Sequence, residues 1–386
     1  MDFSFTEEQE LLRNSLATFL RDRYDFYERR KAIRTPLAMR QESWTALAQE
    51  LGILKLSFPE RVGGLGVDTI GVMIAMEEFG RALLIEPFLE TVVICGGLLA
   101  SLGGLRADDA LTRIGNGEEV MAFAWAEPHS RYDFSQVQST ARRVAGGWQI
   151  DAQKSAVTAA PWASQLLVTA RTGGKPAERE GVSLFLIDTT AAEVTMRCYP
   201  TIDGRCAADI SMAGIHLPPD ALIGEEGQAL EFIERIADAA IAAMCAEAVG
   251  VLSTMLHDTL EYTKQRRQFG QPIARFQALQ HRMVDMHMQV EMARSAAYLA
   301  TMTLSEFPPK RAVAASAAKV TVSKACRFVG QNAIQLHGGM GLTDELPVSH
   351  YFKRATVLES EFGTVDFHLQ RYAILTRAAD VLTARS

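Results

Sequence analysis

Cysteine is scarce in this sequence, and its spacing pairs nothing. Cys95, Cys198, Cys206, Cys245 and Cys326 are scattered over 386 residues with no CxxC pair. An odd, dispersed set points to neither a disulfide framework nor a zinc site. Positive charge is not in excess: 39 Lys and Arg stand against 46 Asp and Glu, a net charge of −7. Neutralising a phosphate backbone needs the opposite balance, which argues against a nucleic-acid partner. Long apolar runs are also missing. The stretch from Ile85 to Leu99 is interrupted by Glu86, Pro87 and Glu90, short of the ~18 residues that span a bilayer. The opening Met1-Asp2-Phe3-Ser4-Phe5 lacks the basic-then-apolar layout of a signal peptide. No internal repeat, low-complexity tract, HExxH, GxSxG or Walker pattern is found. The expectation is a cytoplasmic protein with no membrane, nucleic-acid or metal partner.

What is present is apolar content, 48% over 386 residues, enough for a large core and two or three domains. Thr6 and Gln9 are placed for a capping box. Leu11, Leu12, Leu16, Phe19 and Leu20 then repeat on one helical face. Further helices are expected from Ser43 to Leu51, Asp68 to Arg81 and Glu86 to Leu102. Near residue 119 the period changes. Val120–Trp125, Ala141–Ile150, Ser164–Thr169, Val182–Ile187, Thr195–Tyr199 and Ala208–Leu217 read as strands between Gly, Pro and Asp turns. From Gly227 long helical segments return: Ala229–Gln268, Gln277–Met302 and Lys310–His337. The fold class expected is mainly α with a central β domain. Residues 1–118 form an N-terminal helical domain, 119–226 a β-sandwich or barrel, and 227–386 a C-terminal four-helix bundle.

Two segments invite a ligand. Arg266-Arg267-Gln268-Phe269-Gly270 ends a long helix. Its guanidiniums can fork onto a pyrophosphate, or they can simply complement the helix dipole before a glycine cap. His337-Gly338-Gly339-Met340-Gly341 lets backbone approach a ligand closely, or is a helix end and a turn. His281, His287, Met283, Met286, Met288 and Met292 fall along one helix and read as core and interface packing.

Read together, these segments resemble the acyl-CoA dehydrogenases over nearly the whole chain. Arg266 to Gln280 resembles the family's "RxxFGxxIxxFQxxQ" stretch. Gln335 to Gly341, Asp344-Glu345-Leu346-Pro347-Val348 and Phe362-Gly363-Thr364 resemble its C-terminal block. Ala126-Glu127-Pro128 with Asp133 resembles the "TEPxxGSD" loop, with Ala126, Arg131 and Tyr132 replacing its threonine, glycine and serine. Lys154-Ser155-Ala156-Val157-Thr158 resembles the "KxWIT" strand, with Ala156 for tryptophan. Phe5 to Gln9 and Ser57-Phe58-Pro59-Glu60 with Gly63-Gly64-Leu65-Gly66 resemble the N-terminal domain. The resemblance implies an FAD cofactor held by Thr158, Arg266, Phe269, Gln335, Gly339 and Thr364, with the Arg266 stretch reaching the FAD pyrophosphate across a subunit interface and Gln335 to Gly341 lying against the FAD of a neighbouring subunit. It also implies an acyl-CoA substrate and electron transfer to an electron-transfer flavoprotein.

One departure concerns the chemistry. The family's Glu-Gly-Thr triplet supplies the base that removes the substrate α-proton, and here Phe362 holds the glutamate position. A base must lie within hydrogen-bond reach of its proton. The alternative family slot on the preceding long helix falls near Ala239 and Ala240. Glu247 lies about 10 Å further along that helix, and Glu361 adjoins Phe362. A third source is a second, base-bearing subunit. Leu84-Ile85-Glu86-Pro87-Phe88-Leu89-Glu90-Thr91 and the short length resemble the small subunit of α2β2 acyl-CoA dehydrogenases acting on sterol side chains or dicarboxylates. That source is the favoured expectation. Alternatives are a glutamate-lacking flavin monooxygenase or desulfinase of the same fold, or a non-catalytic scaffold subunit.

Overall fold

The computed structural model describes residues 5–35, 37–66 and 68–383. The chain opens with α1 (Glu7–Arg23), α2 (Phe26–Ala32), α3 (Gln41–Gln49) and α4 (Thr69–Ala82). Thr6 and Gln9 form the expected reciprocal cap on α1. The segment expected as one helix from Glu86 to Leu102 is helical without a break from Phe88 to Leu102, in two windings. Leu89–Gly96 winds in wide π-type turns before α5 (Gly97–Leu102), and α6 (Leu105–Gly115) follows. Strands β1 (Met121–Ala124), β2 (Thr140–Val144), β3 (Gly147–Thr158), β4 (Gln165–Arg171), β5 (Val182–Asp188), β6 (Val194–Pro200), β7 (Cys206–Leu217) and β8 (Leu222–Ile223) come next. Then come α7 (Leu230–Gln265), a short hairpin of β9 (Arg267–Gln268) and β10 (Gln271–Pro272), α8 (Gln277–Met302), α9 (Pro308–His337), α10 (Pro347–Ser360) and α11 (Val365–Thr383).

The compact units do not follow this linear order. Residues up to Arg30, Thr69–Leu84 and the chain from Ile241 onward form one helical unit; Lys31–Asp68 and Ile85–Ala240 form the other. In the helical unit α9 packs against α8, α10 and α11, and α4 against α1 and α8. The buried face of α9 carries Ala312, Ala315, Ala318, Val322, Ala325, Val329 and Ala333. This is a helical repeat of small residues that favours helix and lets neighbours approach. α4 and α7 cross still closer: a Cβ on Gly80 would lie 2.0 Å from the Glu247 carbonyl oxygen, and one on Gly250 2.0 Å from that of Glu77. By length and composition α7 could cross a membrane, a property the run-by-run reading of the sequence passed over. It is mostly buried within the protein, as a helix apolar on all sides in a large core should be.

The second unit is built on a sheet of order β6-β7-β3-β2-β4-β5-β8, with β1 paired to β4. The run expected as a single strand, Ala141–Ile150, is a hairpin. Gly146 and Gly147 take positive φ between β2 and β3, which only a residue without Cβ adopts cheaply. β3 carries register shifts at Ile150/Ala152 and Lys154/Val157 along its pairing with β7. The Thr91 hydroxyl ties the wide-turn helix to β1, donating to the Met121 carbonyl at 2.9 Å and accepting its N–H at 3.2 Å.

Candidate active site

The turn between α10 and α11 carries the residue that departs from the family pattern. Phe362 adopts φ +53° and Gly363 φ +128°. Thr364 follows, and its hydroxyl accepts the Phe367 N–H at 3.4 Å at the start of α11. His368 Nε2 sits 3.0 Å from the Phe362 carbonyl, so this nitrogen carries the proton and donates. Burial pushes the His368 imidazole down to about 4, which keeps it neutral.

The acids near that turn lie beside arginines, although the buried Glu361 Oε2 accepts no hydrogen bond among the described residues. Glu359 pairs with Arg327. Glu361 Oε2 lies 3.2 Å from Arg354 Nη1. The same Arg354 forks onto Glu247, Nε to Oε1 at 2.6 Å and Nη2 to Oε2 at 2.8 Å, both side chains being 3% exposed. A carboxylate so deep is tolerable only with its cation, so Glu247 is a structural charge. At the other family slot Ala240 is buried and carries no acid. Asp238, 1% exposed, was not singled out from the sequence. Two residues on a helix lie about 200° apart, so it faces away from the Ala240 position.

The cofactor candidates of the helical unit gather at two places. At the first, the ends of α7 and α9 are clasped by Tyr262 and His337, whose rings stack with centroids 4.3 Å apart. The Tyr262 hydroxyl donates to the His337 carbonyl at 3.2 Å. Arg266 lies one turn past Tyr262, while Gln335 and Gly339 flank His337; all three are exposed. The expected glycine cap at Gly270 is corrected: α7 stops at Gln265, and Phe269 (φ +50°) and Gly270 (φ +78°) make the tip of the β9–β10 hairpin. Both central residues are left-handed, as a two-residue hairpin requires, and the Phe269 ring is 90% exposed. At the second place Thr364 borders an open cleft of about 500 Å³ with Ser323, Lys324, Arg327, Gln331 and Asp366. Gln335 lies one turn beyond Gln331 on the same helix.

These residues fit FAD. The Arg266 fork is exposed, and a Cβ placed on Gly338 or Gly339 would meet nothing within 4 Å, so backbone there is open to a ligand. Thr364 stands at the N-terminus of a 19-residue helix, where N–H groups and the dipole favour phosphate oxygens.

In the sheet unit Thr158 is half-buried at the end of β3, opposite Ala207. The Ala126–Asp133 loop is pinned to β3 by a buried ion pair. Glu127 accepts four hydrogen bonds: Lys154 Nζ (2.7 Å), Ser139 Oγ (2.7 Å), Ser139 N (3.2 Å) and Gln138 N (2.7 Å). Burial alone would raise the Glu127 carboxyl, but the Lys154 charge and these donors outweigh it and the net shift is downward. Burial lowers the Lys154 amine to about 8 against the opposing pull of Glu127. Arg131, at the glycine position of the family loop, keeps a glycine-like φ of +49°. Asp209, which nothing in the sequence marked, holds the bulge before Thr158. It accepts the N–H of left-handed Ala156 at 3.0 Å, the Tyr199 hydroxyl at 3.1 Å and Arg197 at 2.6 Å.

Three family models match in chain order: the acyl-CoA dehydrogenase N-terminal domain over residues 6–103, the middle domain over 122–214 and the C-terminal domain over 233–374. The chain belongs to the acyl-CoA dehydrogenase family. The human mitochondrial short-chain specific acyl-CoA dehydrogenase is 28% identical over 330 residues, 84% of this chain and 79% of that protein. The structure of PigA with FAD and proline superposes with a TM-score of 0.89 at 25% identity, covering 97% of this chain and 98% of PigA. A variant of the Tcur3481-Tcur3483 steroid ACAD does so with a TM-score of 0.86 at 25% identity, covering 97% of this chain and 99% of that one. FAD is the cofactor of this acyl-CoA dehydrogenase-family chain.

Proposed function

We propose that this chain is an acyl-CoA dehydrogenase subunit that carries out α,β-dehydrogenation of an acyl-CoA thioester together with a second, base-bearing subunit in an α2β2 assembly. The observation that carries the reading is Phe362 at the position of the family's base. A benzene ring has no lone pair to receive an α-proton. The two acids closest to it in sequence, Glu361 and Glu359, face Arg354 and Arg327, and Glu247 is locked to Arg354.

FAD, when bound, supplies the acceptor for the β-hydride. This chain's residues would hold and orient it: the Arg266 fork and the bare Gly338–Gly339 backbone toward the pyrophosphate of a neighbouring subunit's FAD, with Gln335 beside them and Phe269 as apolar cover, and Thr364 at the start of α11. Thr158 presents a hydroxyl from β3, on a strand end fixed by Asp209 and Lys154. Electrons then pass to an electron-transfer flavoprotein.

The test is the visible spectrum and acyl-CoA-dependent dye reduction of the chain purified alone and co-expressed with its genetic neighbour. Activity in the co-expressed complex only, with Phe362→Glu giving the lone chain measurable turnover, is the expected result. Dye reduction by the wild-type chain alone would place a base within it and overturn the reading. Oxygen consumption or sulfur release without an acyl-CoA product would assign the fold to the alternative chemistries.

A further inference from the structure

The helical unit contains a second cavity, built from different residues than those assigned above. Its volume is about 290 Å³, and it lies among α1, α2, α4, α7 and α10, near the lower bound of small-molecule sites. Its aromatic wall is Tyr24, Phe26 and Tyr351. The Tyr351 hydroxyl donates to the Arg81 carbonyl, so that ring is fixed. Leu83 completes the wall with φ +53°, held by the buried Arg29, whose Nε donates to the Leu83 carbonyl at 2.9 Å.

Four charged side chains face this space, and three of them are already balanced. Arg81 pairs with Glu77 at 2.7 Å and Glu78 at 3.2 Å. Arg294 adds a second cation to Glu77 at 2.8 Å and itself pairs with Glu291 at 3.6 Å, so each of these acids already has a guanidinium against it. Arg21 reaches toward solvent and pairs with Asp22 at 3.1 Å. That leaves Asp258 of α7. Among the described residues no lysine or arginine pairs with it, and its charged neighbours are His257 and His337. Both imidazoles pull the Asp258 carboxyl down, but neither forms an ion pair with it among the described residues. Burial outweighs them and the net shift of the carboxyl is upward, the cost of an anion without a full counter-charge.

We propose that this cavity binds a small organic ammonium, its charge on Asp258 and its alkyl part against Tyr24, Phe26 and Tyr351. An alkylammonium satisfies both walls at once, its charge by ion pairing and its alkyl part by apolar contact. An anion would meet guanidiniums already committed to Glu77, Glu78 and Asp22.

The test is calorimetric titration of the full, flavin-loaded protein with n-butylammonium, with n-butanol as the neutral isostere. One ammonium site per chain is expected, at least tenfold tighter than for the alcohol. Asp258→Asn should weaken the ammonium at least tenfold, with dye reduction by the assembled enzyme unchanged. Equal binding to Asp258→Asn, or alcohol binding as tightly as the ammonium, overturns the proposal. So does the absence of ammonium binding. The alcohol comparison uses only wild-type protein and decides the matter even if the variant does not fold.

Discussion

Two Phe-Gly pairs in the helical unit make the same kind of backbone turn for different reasons. At Phe269-Gly270 the dihedrals are +50° and +78°; at Phe362-Gly363 they are +53° and +128°. The first pair tips a hairpin and sends its ring into solvent, 90% exposed. The second joins two packed helices, its ring half-buried and its carbonyl held by a buried histidine. A bulky residue in the left-handed region costs on the order of 1 kcal/mol or more, so each phenylalanine needs a compensating reason. For Phe362 that reason is inside the fold. For Phe269 the fold offers an edge-to-face contact with Phe276, ring centroids 6.1 Å apart, and leaves most of the ring open to solvent.

Gly363→Ala should separate the two turns most sharply. Its Cβ would lie 2.5 Å from His368 Nε2 and 2.6 Å from Phe367 Cδ1, so strain and overpacking together should cost up to roughly 4 kcal/mol. At Gly270 the same change meets nothing within 4 Å and should cost about 1 kcal/mol. Thermal melts of the two variants would show the difference, and equal melting points would erase the distinction.

A pH titration probes the buried turn alone. The folded value of His368, about 4, lies below its ordinary 6.5, so its contribution is complete above pH 6.5 and drains away as pH falls toward 4. The loss should approach about 3 kcal/mol. His368→Gln should flatten the slope of stability in that window. His337 and His350, also lowered by burial, would leave a smaller residual slope of the same sign. The smallest effect on stability is expected at the exposed turn: Phe269→Ala should shift the melting curve by less than about 0.5 kcal/mol. Its effect should appear in retained FAD, measured by dialysis and absorbance; full retention would remove the ring from the cofactor site.

Local signals in the sequence were readable where neighbours along the chain decide the structure. The Thr6–Gln9 cap, the limits of α8 and the order helices, sheet, helices all rest on residues within a few positions of one another. The segments expected to hold the flavin are contiguous motifs for the same reason. What escaped were pairings over distance. Nothing in the spacing of residues 247 and 354 tells that one arginine closes off the glutamate. Asp209 and Ala156 meet only because β3 and β7 pair with a bulge. The hairpin inside Ala141–Ile150 was hidden because Ala145-Gly146-Gly147 continues an apolar run while changing its hand.

The crossing of α4 and α7 sets a timetable for making the protein. Gly80 and Gly250 let two helix backbones touch, yet they are separated by most of the sheet unit. At roughly 5–20 residues per second, a ribosome delivers the second glycine on the order of ten to thirty seconds after the first. Through that interval α1 and α4 present an apolar face with no mate, while residues of the sheet unit have already emerged. The chain is therefore one for which a holding chaperone acting early in synthesis, rather than at release, should govern yield.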